Sequence, residues 1–373
     1  MARPVWAEID LAALAHNMRA IKNILQPQTQ VMAVVKANAY GHGAVPVART
    51  ALANGATWLG VATLDEALKI RQEGINAPLL ILGYTPPEDA GQVVEADISQ
   101  TVFSLEQAIS LSRAAAKAGV KARLHLKIDT GMGRLGMLPQ QALPLIMAIN
   151  DLPNIYLEGL FTHFASADAA DKSYTRRQLG LLRQLLKQLE ERGITFPWIH
   201  AANSGAIIDL PETHFNLVRA GIILYGHYPS KEVCWQRLAL KPVMALKTRV
   251  VQVKELPAGS YVSYGCTYTT SAPSRVATLP VGYADGYSCL LSNRAQVIIR
   301  GRRVPVIGRV CMDQCMVDVT SVPETQVCDE VVLLGRQGDS VVTAEEVAAW
   351  MGTINYEVLC LISGRVPRVY CGQ

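Results

Sequence analysis

The chain has 373 residues, of which 50% are apolar and 18% charged, with a net charge of +4. That length and balance describe a packed globular protein with room for two domains, and they exclude an intrinsically disordered chain. The small positive charge is spread out, with no basic run that would track a nucleic-acid backbone.

Met1-Ala2-Arg3-Pro4-Val5-Trp6 lacks the long apolar core of a signal peptide, and no apolar run reaches bilayer length. A cytoplasmic location is therefore expected. The eight cysteines include no CxxC pair, so neither a metal site nor a disulfide framework is expected. They read as reduced, mostly buried thiols. Trp6-Ala7-Glu8-Ile9-Asp10 reads as a short strand, and Asp10 as the cap of a helix with Leu11, Leu14, Met18 and Ile21 on one face. From residue 31, apolar runs alternate with helical periodicity. Strands are predicted near 31–36, 57–62, 79–82, 98–102, 122–128, 156–163, 197–200 and 215–218. Helices are predicted near 44–54, 64–74, 87–96, 104–118, 139–150, 174–192 and 203–209. This alternation predicts an α/β fold, a (β/α)8 TIM barrel, although the spacing alone also allows an open doubly wound sheet.

Near residue 235 the texture changes. Short strand-like runs follow at Thr248–Val253, Val276–Leu279, Gln296–Ile299, Val304–Val306, Met316–Val319 and Glu330–Leu334, with one helix near Ala344–Met351. The expected organisation is a barrel over 1–238 and a mostly-β C-terminal domain over 239–373, with 225–242 as the hinge.

Barrel enzymes carry their sites at the carboxyl ends of the strands. The first predicted strand delivers Lys36, followed by Tyr40 and a turn marked by Gly41 and Gly43. A lysine at the end of a buried strand is costly unless it is paired or chemically used. Desolvation also lowers its proton affinity, which makes it a nucleophile toward carbonyl groups. Alternatively, such a lysine snorkels from the core. The other termini carry Lys127 and Arg134, then His163, then His200, Asn203 and Ser204, and finally Arg219, Gly221 and Ile222. Any one of these is compatible with a solvated loop or a satisfied core histidine; five such termini at one rim are not. Asn203 and Ser204 stand where a short helix begins, with outward N–H groups, and Gly221 allows close approach of an anion. A lysine with a phosphate cradle suits pyridoxal phosphate, which binds lysine as a Schiff base.

Val34-Val35-Lys36-Ala37-Asn38-Ala39-Tyr40-Gly41-His42-Gly43 closely resembles the pyridoxal-phosphate attachment motif of alanine racemases. Tyr261-Val262-Ser263-Tyr264-Gly265-Cys266, Arg309-Val310-Cys311-Met312-Asp313 and Asn355-Tyr356-Glu357 are similar to further segments of that family. The resemblance implies interconversion of L- and D-alanine by two-base proton transfer, supplying D-alanine for peptidoglycan. It assigns Lys36 and Tyr264 as the two bases, and Arg134 and the Met312 backbone to the substrate carboxylate. The cofactor contacts it implies are Lys36, Tyr40, His163, Asn203, Ser204, Arg219, Gly221, Ile222 and Tyr356, supported by Lys127, His200, Cys311 and Asp313. It further implies a carbamylated Lys127 and a head-to-tail homodimer in which Tyr264 and Met312 cross into the partner's site. Arg219 facing the pyridine nitrogen would leave that nitrogen unprotonated, which favours racemisation over transamination or decarboxylation. The other readings are a racemase preferring serine or another small amino acid, a decarboxylase on the same barrel-plus-β plan, which Arg219 opposes, and a non-catalytic pyridoxal-phosphate carrier, which lacks the second domain.

Overall fold

Local signals set the element boundaries in the computed structural model, which describes residues 4–372. Asp10 Oδ1 accepts the Ala13 N–H at 2.9 Å and so opens the helix Leu11–Asn23. Ser104 caps Leu105–Ala118 in the same way, and Gly119 closes that helix in the left-handed region at φ 70°. The chain divides into two compact units. One comprises Leu14–Ala39 and Ala44–Lys241; the other holds the N-terminal segment through Ala13, Tyr40–Gly43 and everything from Pro242.

The first unit is the barrel. Its eight strands are Gln30–Val34, Trp58–Val61, Leu79–Ile81, Ser99–Val102, Ala122–Lys127, Ile155–Phe161, Trp198–His200 and Leu217–Ala220. Neighbouring strands pair in parallel, and the last returns to the first, Met32 lying opposite Arg219. Between the seventh and eighth strands the ladder gives way to single bonds, such as the Arg219 N–H to Ala202 O at 3.0 Å, so the barrel is nearly closed. Met32, Trp58, Leu80 and Leu217 fill its interior. Burying each such side chain contributes about 1.5–3 kcal/mol. Parallel strands all end at one rim, which is why the predicted termini converge.

The second unit is mostly β, with a ten-stranded sheet. Val5–Asp10 belongs to it, antiparallel to Met244–Arg249 on one side and parallel to Arg368–Cys371 on the other. The run predicted as one strand over Thr248–Val253 is two, Met244–Arg249 and Gln252–Leu256, with the break at Val250 and Val251. The helix at Ala344–Met351 forms as predicted, with a second at Asn355–Leu361 that periodicity did not reveal. The cysteines depart from expectation: Cys315 is buried, but Cys234, Cys266, Cys289, Cys328 and Cys360 are exposed, mostly in turns and short 3-10 segments. Among the described residues no helix is long and apolar enough to cross a membrane.

The segment after the first barrel strand differs most from its sequence reading. Gly41 and Gly43 predicted a turn, but the backbone reverses hand earlier. Ala37, Asn38 and Ala39 lie at φ 52°, 52° and 55° with ψ near the left-handed helical value, and Tyr40 follows at φ 51°. Each such residue with a side chain costs roughly 1–2 kcal/mol.

Candidate active site

Register brings the barrel-mouth residues together. Lys127 pairs with Phe161, and Phe161 with His200, so three adjacent strands present these side chains at one level. The His200 imidazole stacks on Phe161 at 4.5 Å, and Lys127 Nζ lies 4.7 Å from the same ring centroid. Lys36 stands two residues past Gln30–Val34, whose Met32 neighbours Arg219.

Arg219 is buried, and its bonds set the charge states around it. Nη1 donates to His200 Nδ1 at 2.9 Å and to His200 O at 3.0 Å. Nη2 is shared among Thr162 O at 2.9 Å, Ala201 O at 3.0 Å and His163 Nδ1 at 3.2 Å. A guanidinium can only donate, so both Nδ1 atoms accept and both rings are neutral. Burial first, and the Arg219 cation second, hold His200 and His163 well below the usual imidazole range. His200 Nε2–H then donates to His125 Nδ1 at 2.9 Å, which places the His125 proton on Nε2, 3.3 Å from Glu158 Oε2. That N–H is not aimed along the contact, so it is electrostatic rather than a hydrogen bond. Among the described residues the Arg219 Nε–H has no partner. Burial, then Arg134, draws the guanidinium down to about 9, still charged at neutral pH.

Lys127 is buried, and its Nζ makes no hydrogen bond among the described residues. Burial first, then the cations Arg219 and Arg134, pull its amine well below the usual lysine range. The loop that carries Arg134 is built by Asp129, whose Oδ1 accepts the N–H groups of Gly131, Met132 and Gly133 at 2.8–3.1 Å. Burial opposes ionisation of Asp129, but these three bonds outweigh it and its carboxyl is lowered.

The expected cradle is part committed. Asn203 Oδ1 caps the helix Ser204–Asp209 by accepting the Ala206 N–H, and its Nδ2 donates to Phe164 O, both at 3.2 Å. Ser204 Oγ accepts the Gly221 N–H at 3.2 Å, tying together the ends of the last two strands. The Gly221 N–H is thus engaged, while those of Ser204 and Gly205 find no acceptor among the described residues. Ile222 is buried at the start of the 3-10 turn Ile222–Tyr225.

The other predicted residues lie in the second unit. The Tyr40 and Tyr356 rings are 6.2 Å apart, and burial raises the Tyr40 phenol. Tyr264 opens the 3-10 turn Tyr264–Cys266 and is 73% exposed. Ser263 Oγ donates to Arg309 O at 2.6 Å, which binds this turn to the Cys311–Asp313 segment. Ser263 Oγ also lies 3.4 Å from Cys311 Sγ. The Met312 carbonyl accepts the Ala284 N–H at 3.0 Å, Met312 is 53% exposed, and Asp313 pairs with Arg365 at 2.7 Å. Sequence reasoning passed over Phe161, His125 and Glu158. The available signal was His125 between two leucines in a strand, a polar ring placed on the barrel interior.

A parallel barrel with its ionisable groups at one rim, joined in sequence to a β unit, places the chain among two-domain barrel enzymes. It matches the N-terminal domain of alanine racemase over residues 9–229 and the C-terminal domain over 243–370. An alanine racemase of Desulfovibrio desulfuricans is 54% identical over 99% of this chain and 98% of its own. The alanine racemase of Clostridium difficile 630 superposes with a TM-score of 0.96 at 44% identity, covering 100% of this chain and 96% of that one. That of Bacillus anthracis, with bound L-Ala-P, gives 0.94 at 40% identity, covering 100% and 96%. The chain belongs to the alanine racemase family, and its activity is that isomerisation.

Proposed function

We propose that this enzyme works on pyridoxal phosphate held at Lys36, and that it supplies D-alanine for peptidoglycan. The observation that carries the cofactor reading is the Arg219 Nε–H, left over on a buried guanidinium whose other N–H groups are engaged. An unprotonated pyridine nitrogen is the acceptor such a donor suits. The uncommitted Ser204 and Gly205 N–H groups suit phosphate oxygens, together with the hydroxyls of Tyr40, Ser204 and Tyr356. His163, Asn203, Gly221 and Ile222 complete the surroundings proposed for it.

When bound, pyridoxal phosphate withdraws electrons from the Cα of an attached amino acid and so acidifies that C–H. Lys36 Nζ takes or returns the Cα proton on one face, and the partner subunit's Tyr264 hydroxyl does so on the other. Arg134 and the partner subunit's Met312 N–H hold the substrate carboxylate. His200 fixes Arg219 as a donor, and Cys311 and Asp313 position Met312. A head-to-tail homodimer completes this reading. The L-Ala-P bound to the Bacillus anthracis relative supports an alanine-sized substrate.

Lys127 is proposed to be carbamylated. Its amine, buried and short of a partner, would add CO2 and lose a proton, and the resulting anion would face Arg134 and Arg219. Electron density at Lys127, or the mass of the intact native enzyme, should show one added CO2, and a bare amine in that density overturns the proposal.

The experiment for the whole reading is racemisation of L-alanine and L-serine in parallel, with and without added pyridoxal phosphate, followed by chiral chromatography. Alanine turnover that depends on the cofactor and exceeds serine turnover is expected. Equal or faster serine turnover would keep the residue roles and change the substrate. Cofactor bound at Lys36 without turnover of either would point to a carrier.

A further inference from the structure

The left-handed turn Lys36–Tyr40 must be held, because Ala37, Asn38 and Ala39 intrinsically prefer right-handed or extended backbone. Several bonds hold it. Val35 N–H reaches Gly60 O at 2.8 Å, Ala39 N–H reaches Val35 O at 2.8 Å, and Ala44 N–H reaches Asn38 Oδ1 at 2.9 Å. The shortest comes from Ala37, the residue after the lysine: its N–H donates to Glu66 Oε1 at 2.6 Å. Glu66 Oε2 accepts the Ala62 N–H at 2.8 Å. One carboxylate thus ties the backbone following Lys36 to the end of the adjacent strand Trp58–Val61, with a charge-assisted bond on each oxygen.

A second observation, independent of the turn, is where this carboxylate does not go. Thr63-Leu64-Asp65-Glu66 has the spacing of a capping box, and Thr63 Oγ1 accepts the Glu66 N–H at 3.4 Å. In a completed box the glutamate returns to the N–H of the capping residue. Glu346 does this in the second unit, at 3.0 Å to the Thr343 N–H. Glu66 has the same sequence setting but spends both oxygens outside its own helix. We propose that Glu66 is a positioning residue: its carboxylate clamps the left-handed turn and so fixes the direction in which Lys36 meets the cofactor and substrate. This rests on the assignment of Lys36 as the reacting amine.

The test compares the holoenzyme with Glu66→Gln, Glu66→Gln combined with Ala37→Gly, and Thr63→Ala. Glutamine keeps the shape but turns an NH2 group toward one of the two backbone donors. Glu66→Gln is expected to lower kcat at least about tenfold, with KM for alanine changed less than about threefold, because misplacing a reacting group acts on the chemical step. Amide exchange at Ala37 should quicken while the helix Leu64–Gln72 stays protected. Adding Ala37→Gly should recover at least about threefold of the lost kcat, since glycine adopts the left-handed conformation without steric cost. Thr63→Ala, which removes the cap and keeps the clamp, should lower stability and leave kcat within about twofold.

A Glu66→Gln kcat above these limits overturns the proposal. So does loss without recovery on adding glycine, or exchange that quickens equally through the helix. Failure of the wild type to bind pyridoxal phosphate would instead sink the cofactor reading, and the exchange comparison would still decide the role of Glu66.

Discussion

Burial decides the charge of the groups at the barrel mouth, and that has a sign in pH. His125, His163 and His200 are all held below the usual imidazole range, chiefly by desolvation. Below about pH 6.5 the unfolded chain binds protons that the folded chain refuses. The stability these rings contribute is therefore complete above that pH and is lost as pH falls, by up to about 1.4 kcal/mol per pH unit for each ring. Urea midpoints measured at pH 7.5 and 5.5 should show the drop, and equal midpoints would contradict it. At the same scale, Lys36→Ala should abolish turnover and the near-visible absorbance of bound cofactor. Tyr264→Phe should leave cofactor binding intact and lower turnover by ~10²–10⁴-fold. A loss well under tenfold would remove Tyr264 from the role of base.

Among the elements, close approach is the sharpest constraint. Gly159 faces His125 across the fifth and sixth barrel strands, and a Cβ there would clash with the imidazole ring. Gly159→Ala should cost about 1–3 kcal/mol through overpacking and disturb the His125–His200 bond behind Arg219. Both a lower melting temperature and slower turnover are expected; an unchanged protein would refute the crowding. Thr343→Ala removes a complete capping box and should cost about 1 kcal/mol, read as a shift in urea midpoint. Periodicity located the barrel strands and most helices because each buries one regular face. It could not locate the turn at Lys36–Tyr40, where no glycine occupies residues 37–40 and a carboxylate 29 residues away helps to hold the backbone. The Asn355–Leu361 helix escaped for a related reason: seven residues give too few turns to display a period.

For the whole molecule, the proposed homodimer makes a quantitative prediction. Homodimers of Lys36→Ala or of Tyr264→Phe should each have little or no activity. A hybrid of the two has one intact site if Tyr264 serves the partner, so random reassembly should restore about a quarter of wild-type activity. No recovery would mean that both bases come from one chain. The barrel residues proposed for the site were legible because parallel strands must end together, so reading their termini in order amounts to reading one rim. Tyr264 and Met312 enter the proposal only by resemblance, since each is exposed and no periodicity distinguishes it.

The strand Val5–Asp10 joins Met244–Arg249 and Arg368–Cys371, which are made long after it. At roughly 5–20 residues per second, a ribosome needs on the order of 20–70 s to reach the second of these partners. Both edges of Val5–Asp10 stay open until Met244–Arg249 is made, after every barrel strand from Gln30 to Ala220, and one edge stays open until Arg368–Cys371 follows. The earliest of the described strands is therefore among the last to find its place.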